Sequence, residues 1–314
     1  MNTYLHTLTS ILIVACVILL VVLLRKRGIL KQGNGTLFSQ IVTRVTLPAL
    51  IFEALSKSSV EWQYIFLFLY IFLTEIILLV LAWSIGKILK LEQSRMGSFL
   101  LVSAFGSSAL LGYPLIMELF PNNAAALTEG TFVSELGVGL PLFTIGVMIV
   151  MYYGDKDQTK NSLFGGASLF FKSPIFISII TGLLWSFSPF GSTGILITPL
   201  FEAIHIIAKA NTFFVALTVG VLLNFSSMKN IIWLALFTII IKLIISPLLV
   251  YLPAESMSLE PWQLQVLLLE AAMPSAMLSV VLATRYGCDA KLAAKLVFIT
   301  LIGSLFTVAV MINL

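Results

Sequence analysis

Charge is what this sequence has least of. Only 10% of its 314 residues are Asp, Glu, Lys or Arg, while 59% are hydrophobic, and mean hydropathy is +1.07. Soluble domains carry about 25% charged residues, so this composition excludes a water-soluble fold and indicates an integral membrane protein. Cysteine and histidine are as scarce, with two of each. Cys16 lies in the first apolar run and Cys288 in a polar loop, which rules out a disulfide framework; His6 and His205 do not form a zinc pair. Asp155, Asp157 and Asp289 all fall in loops, so the paired membrane aspartates of an intramembrane protease are missing and an enzyme is disfavoured. No nucleic-acid-binding module, metal site or cofactor motif is present. The first apolar run starts near Leu8 with no basic residue before it and no small-residue cleavage site after it, so it reads as a retained helix.

What is present is a series of apolar runs near the 20 residues a bilayer requires. The expectation is an all-α membrane protein with ten spans, at about 7–24, 36–55, 62–86, 96–118, 130–153, 172–188, 197–223, 230–251, 262–285 and 291–313. Basic residues test that count, because cytoplasmic loops collect Lys and Arg. Fourteen of the 18 fall in the odd-numbered loops, one (Lys57) in an even loop, and Arg44, Lys209 and Lys242 inside spans. One missed or invented span would scramble this alternation. It places both termini on the extracytoplasmic side of a cell membrane.

A shift of 163 residues superposes Gly28 on Gly191, Leu37-Phe38 on Leu200-Phe201, and Leu142-Phe143-Thr144 on Leu305-Phe306-Thr307. The chain thus divides into a five-span repeat over 1–153, a cytosolic linker over 154–171 and a second five-span repeat over 172–314. An odd number of spans per repeat inverts the second relative to the first, an architecture typical of secondary transporters. Two spans carry matched interruptions. The fourth holds Ser103-Ala104-Phe105-Gly106-Ser107-Ser108-Ala109-Leu110-Leu111-Gly112-Tyr113-Pro114, and the ninth holds Glu270-Ala271-Ala272-Met273-Pro274-Ser275-Ala276-Met277. Glycine frees the backbone and proline removes a donor, so both helices should break there. Non-helical backbone at membrane depth is tolerated only where protein or a water-filled cavity satisfies it. Crossing of the two breaks would turn half-helix ends toward an anion and freed carbonyls toward a cation.

Ionisable residues inside spans cost about 2.5–3.5 kcal/mol each and are functional candidates by default. Glu270 stands one turn before Pro274, and Lys242 on the adjacent antiparallel span lies at matching depth, about 12 and 13 Å from the outer face. The two are expected to pair or share a proton, as an ion- or proton-coupling element or as a structural pair. Glu202, His205 and Lys209 form one helical stripe, with Asn211 and Thr212 beside Lys209. Lys209 reads as a substrate contact or an interface residue, and Arg44, near the equivalent repeat position, as a substrate contact or a snorkelling side chain. Glu135 starts the fifth span, where outer-face solvation is expected. Glu75 is central and unassigned. Tyr113 could give a hydroxyl to the site or simply pack.

These features together resemble the auxin efflux carrier family, in its bacterial malate or malonate permease-like branch. The resemblance rests on Gly28-Ile29-Leu30 with Val45-Thr46-Leu47-Pro48-Ala49-Leu50-Ile51-Phe52, on Gly112-Tyr113-Pro114, and on Ala271-Ala272-Met273-Pro274-Ser275-Ala276 followed by Tyr286-Gly287-Cys288-Asp289. It implies a fold like the bile acid symporters and sodium/proton antiporters. In that fold spans 1, 2, 6 and 7 form a scaffold, 3–5 and 8–10 a moving core, and homodimers form through the scaffold. It also implies an elevator motion and organic anion substrates. The short central loop and the Gly-Tyr-Pro in place of an Asn-Pro break favour a small carboxylate over auxin. The expected substrate site comprises Gly106, Ser107, Ser108, Gly112, Tyr113, Pro114, Met273, Pro274 and Ser275, with Lys209, Asn211 and Arg44. Glu270 and Lys242 are the coupling residues for H+ or Na+. A cation/proton antiporter on the same scaffold is the competing reading, although such proteins place aspartates at the crossing.

Overall fold

The computed structural model describes residues 2–57, 65–112, 116, 119–120, 123–154, 172–188, 194, 197–224, 231–253 and 259–311. Its regular elements are helices, which we number in order. They are α1 (Asn2–Lys26), α2 (Asn34–Lys57), α3 (Ile65–Ile88), α4 (Gln93–Ala104), the short α5 (Ser108–Gly112), α6 (Ala124–Phe132), α7 (Val133–Tyr153) and α8 (Pro174–Ser186). After these come α9 (Ile197–Leu222), α10 (Ile232–Tyr251), α11 (Pro261–Ala272), α12 (Leu278–Tyr286) and α13 (Ala290–Met311). Among the described residues, α2, α3, α7, α9, α10 and α13 are long and apolar enough to cross a membrane. Exposed Leu, Ile, Phe and Trp cover their outer faces, as a hydrocarbon solvent permits.

Three prolines shape the spans. Pro48, Pro141 and Pro247 each stand two residues beyond a π-helical segment: Val42–Thr46, Val133–Gly139 and Ile240–Ile245. A proline ring cannot approach the carbonyl four residues back, so the turn before it widens. The wider register is visible where Leu47 N–H donates to Val42, Leu140 N–H to Glu135 and Ser246 N–H to Ile241. Arg44, Glu135 and Lys242 each lie in one of these turns.

The helices sort by their packing. α1, α2, α8 and α9 pack on one another, while α3, α4, α7, α10, α11 and α13 form the other cluster, joined to the first mainly through α12 and α13. Arg25 Nη1 donates to the Val221 carbonyl (2.7 Å), tying α1 to the end of α9. The end bearing Arg95, Arg285, Lys291 and Lys295 is closed. There Asp289 N–H donates to the Ser94 carbonyl (3.0 Å), Ser98 Oγ to the Asp289 carbonyl (2.9 Å) and Cys288 Sγ to the Val150 carbonyl (3.6 Å). Burial pushes the Cys288 thiol up to about 12, with Asp289 adding to the shift.

Close packing of α1 on α9 depends on Gly220. A Cβ there would lie 2.6 Å from Val21 Cβ and 2.8 Å from the Ile18 carbonyl oxygen, while one on Gly33 would meet nothing within 4 Å. Gly220→Leu should therefore cost about 1–3 kcal/mol through overpacking and lower the melting temperature of the purified protein. Gly33→Ala should leave it unchanged. Equal melting of the Gly220→Leu protein and wild type would contradict this packing.

Candidate functional site

Both expected breaks are present, and they touch. α4 stops at Ala104, where Phe105 turns extended (φ −83°, ψ 135°), and α11 stops at Ala272, where Met273 does the same (φ −58°, ψ 142°). The residue before a proline is pushed out of the helical region, which accounts for Met273 ahead of Pro274. Gly106 and Ser275 then pair in an isolated antiparallel bridge. Ser107 N–H donates to the Pro274 carbonyl (2.7 Å) and Ala276 N–H to the Phe105 carbonyl (2.8 Å). Side chains take up further backbone groups: Ser275 Oγ donates to the Val102 carbonyl (2.6 Å), and Ser275 N–H donates to Thr300 Oγ1 (3.3 Å).

A cavity of about 360 Å³ opens on one side of this bridge, lined by Gly106, Ser107 and Ser108 from the first break and by Ala276, Met277 and Leu278 from the second. Asn211 and Thr212 of α9 form another wall, and Ser134 and Glu135 of α7 a third. The N-terminus of α12 thus faces the cavity, and a helix N-terminus favours negative charge. Toward the end opposite the closed one, the cavity reaches Glu53 and Lys57. Glu53 Oε1 accepts from Lys57 Nζ (2.7 Å) and lies 2.7 Å from His205 Nδ1.

The expected site residues separate into three groups. Gly106, Ser107, Ser108, Met273, Pro274 and Ser275 meet at the bridge, and Asn211 joins them across the cavity. Asn211 is buried and held by Thr46, whose Oγ1 donates to Asn211 Oδ1 (2.9 Å). Arg44 and Lys209 do not join: both are exposed on the outside of the helices, away from the cavity wall. Tyr113 and Pro114 lie outside the described residues.

Behind the bridge sit the buried charges. Glu270 is 1% exposed, and its carboxylate lies so close to Gly112 that a Cβ on that glycine would be 2.6 Å from Oε1. Ser108, Glu135 and Lys242 act on it electrostatically. Lys242 is fully buried, but its ion-pair partner is Glu75 at 3.5 Å rather than the expected Glu270. Sequence adjacency favoured α11, whereas the widened turn in α10 directs the lysine toward α3. Glu135 also departs from expectation. It is buried at the cavity wall instead of solvated at an outer face, because α6 runs into α7 without interruption and carries the helix past it. Glu53, Thr46, Thr300 and Ser246 join the site without a mark in the sequence. The rule that membrane charges pair could have matched Glu75 with Lys242, but nothing in their spacing marks the hydroxyl groups.

Two broken helices meeting beside a cavity between packed apolar helices are an arrangement typical of membrane transport proteins, and that is the class the fold fits. The chain belongs to the family described as membrane transport protein, the auxin efflux carrier family, whose model matches residues 6–164 and 167–312. An uncharacterized transporter of Methanocaldococcus jannaschii is 29% identical over 288 residues, covering 90% of each chain. An uncharacterized transporter of Methanothermobacter thermautotrophicus is 23% identical over 301 residues, covering 94% of each chain.

Gly112 is the tightest point of this site. Gly112→Ala must displace the Glu270 carboxylate, and Gly106→Leu must push into Lys242, whose Nζ would be 3.1 Å from the first added carbon. Both variants should insert normally and lose transport by about tenfold or more, equivalent to roughly 1.4 kcal/mol at the barrier. The check is the initial flux per folded molecule in reconstituted vesicles. Wild-type flux in both would place the site elsewhere.

Proposed function

We propose that this protein is a secondary active transporter of small organic anions of the malate or malonate kind, working in a cell membrane. The observation that carries the reading is the cavity at the bridge, which combines hydroxyls of Ser107 and Ser108, the Asn211 amide and the N-terminus of α12. These groups suit a carboxylate. Of the cationic groups expected to attract it, Arg44 and Lys209 point elsewhere, so the proposal assigns attraction to Lys57 at the mouth and the helix dipole within.

The same proposal takes the chain as ten spans in two inverted five-span repeats, with both termini extracytoplasmic. The α1, α2, α8 and α9 cluster would be the scaffold and dimer surface. The remaining helices would be the core that carries the site across in an elevator motion. In that orientation the present conformation is open to the outside and closed to the cytosol. Glu135 and Glu270 lie beside the site, and ionised carboxylates repel a second anion, so substrate binding would be accompanied by a proton or a sodium ion. The same two glutamates favour one competing reading, a cation/proton antiporter in which no organic anion is carried.

Uptake of labelled malate and malonate into proteoliposomes tests this, with and without imposed proton or sodium gradients. Saturable uptake driven by one gradient is expected, and Glu270→Gln should retain exchange while losing gradient-driven accumulation. Sodium flux without any organic substrate would favour the antiporter instead. No saturable flux of any carboxylate would overturn the proposal.

A further inference from the structure

We propose that Lys242 is a cation built into the crossing, seated where such a junction would otherwise bind a free alkali-metal ion, so that the crossing itself needs no sodium. The inference rests on reading the crossing as the transport site. Its basis is the charge that converges there. α4 and α11 both end at the bridge, at Ala104 and Ala272, so two helix C-termini point into the same buried region. Each carries roughly half a negative elementary charge. The Glu75 carboxylate, buried on α3, adds another. Converging carbonyl ends of broken membrane helices are an arrangement that coordinates a coupling cation.

In this protein the positive charge is already covalently present. Lys242 Nζ lies 3.5 Å from Glu75 Oε1 and 3.4 Å from Ser246 Oγ. Ser246 Oγ in turn donates to the carbonyl of Ala271 at the end of α11 (2.9 Å). On its other side the ammonium rests against Gly106, since a Cβ there would lie 3.1 Å from Nζ and 3.2 Å from Cε. One side chain therefore bridges the first break, the end of the second half-helix and the α3 carboxylate, with no exposed surface. A tethered ammonium compensates the helix ends through the whole cycle and cannot exchange with solution. A sodium gradient then has nothing to act on at this position.

The test needs no substrate. Purified protein is melted at constant ionic strength with sodium chloride replaced stepwise by choline chloride. Wild type and Lys242→Arg should melt at the same temperature in both salts. Lys242→Ala vacates the ammonium and leaves Glu75 and Ser246 around the space, so it should gain a sodium-specific rise of roughly 2–5 °C at about ten times its Kd. Lys242→Met fills the space without charge and should gain none. A sodium-specific rise in wild type overturns the inference, whether or not the alanine variant can be purified. So does a folded Lys242→Ala protein that does not respond to sodium. Absence of carboxylate flux would sink the proposed function but leave these melting curves unaffected.

Discussion

The structure depends on one constraint: backbone polar groups inside a hydrocarbon layer must find partners within the protein. Every helix end leaves up to four donors or acceptors unpaired. Interrupting two helices at membrane depth creates such ends inside the bundle. The antiparallel bridge between Gly106 and Ser275 answers this by letting each break satisfy the other. Ser275 then reaches back to Val102, and Thr300 of α13 accepts from the Ser275 backbone, so neighbouring helices close what the bridge leaves open. Neither break would be tolerable alone. The two are one structural unit that happens to lie far apart in sequence.

Charge follows from the same geometry. A helix that ends in the interior delivers part of its dipole there, and two ending together call for compensation. Lys242 and Glu75 form a buried pair whose attraction is offset by desolvation, so the pair itself adds little stability. Its placement under Gly106 explains its presence better than its energy does. The π-helical turn before Pro247 belongs to this arrangement, because it sets the rotation at which Lys242 leaves α10. The turn before Pro141 does likewise for Glu135. Prolines far from the bridge therefore aim the ionisable groups around it.

Much of this was legible in the residues themselves. Glycine and proline act locally, so Gly106, Gly112 and Pro274 announced both breaks; the 163-residue shift expected to relate them sets Phe105 on Leu268, whereas the second helix turns at Met273. Pairing across the bundle was less accessible. Glu270 and Lys242 lie at matching depth on consecutive spans, yet helix rotation, not depth, selects a partner, and the widened turns alter rotation without leaving a periodic signature. Arg44 and Lys209 were misleading for a related reason: depth is readable from position in a span, but a polar stripe does not say whether it faces the cavity or the outside. Thr46, Thr300 and Ser246 show a third limit. A hydroxyl that satisfies another helix is indistinguishable in sequence from one that bonds its own preceding turn.

The cavity's charge bears directly on how an anion could use it. Glu53 is already engaged by Lys57 and His205 at the mouth. Deeper in, Glu135 lines the wall and Glu270 lies just behind Ser108 and Gly112. In a low dielectric a carboxylate ligand beside two ionised glutamates meets repulsion far stronger than in water, and the α12 dipole, worth about half a charge, cannot cancel it. Lys242 offsets this only in part, because it is also ion-paired with Glu75. An anion, as proposed for this cavity, would therefore bind best while Glu135 and Glu270 are neutral. On the proposed reading, coupling would need no separate machinery, since a neutral carboxyl group at Glu135 or Glu270 and a seated anion would each favour the other.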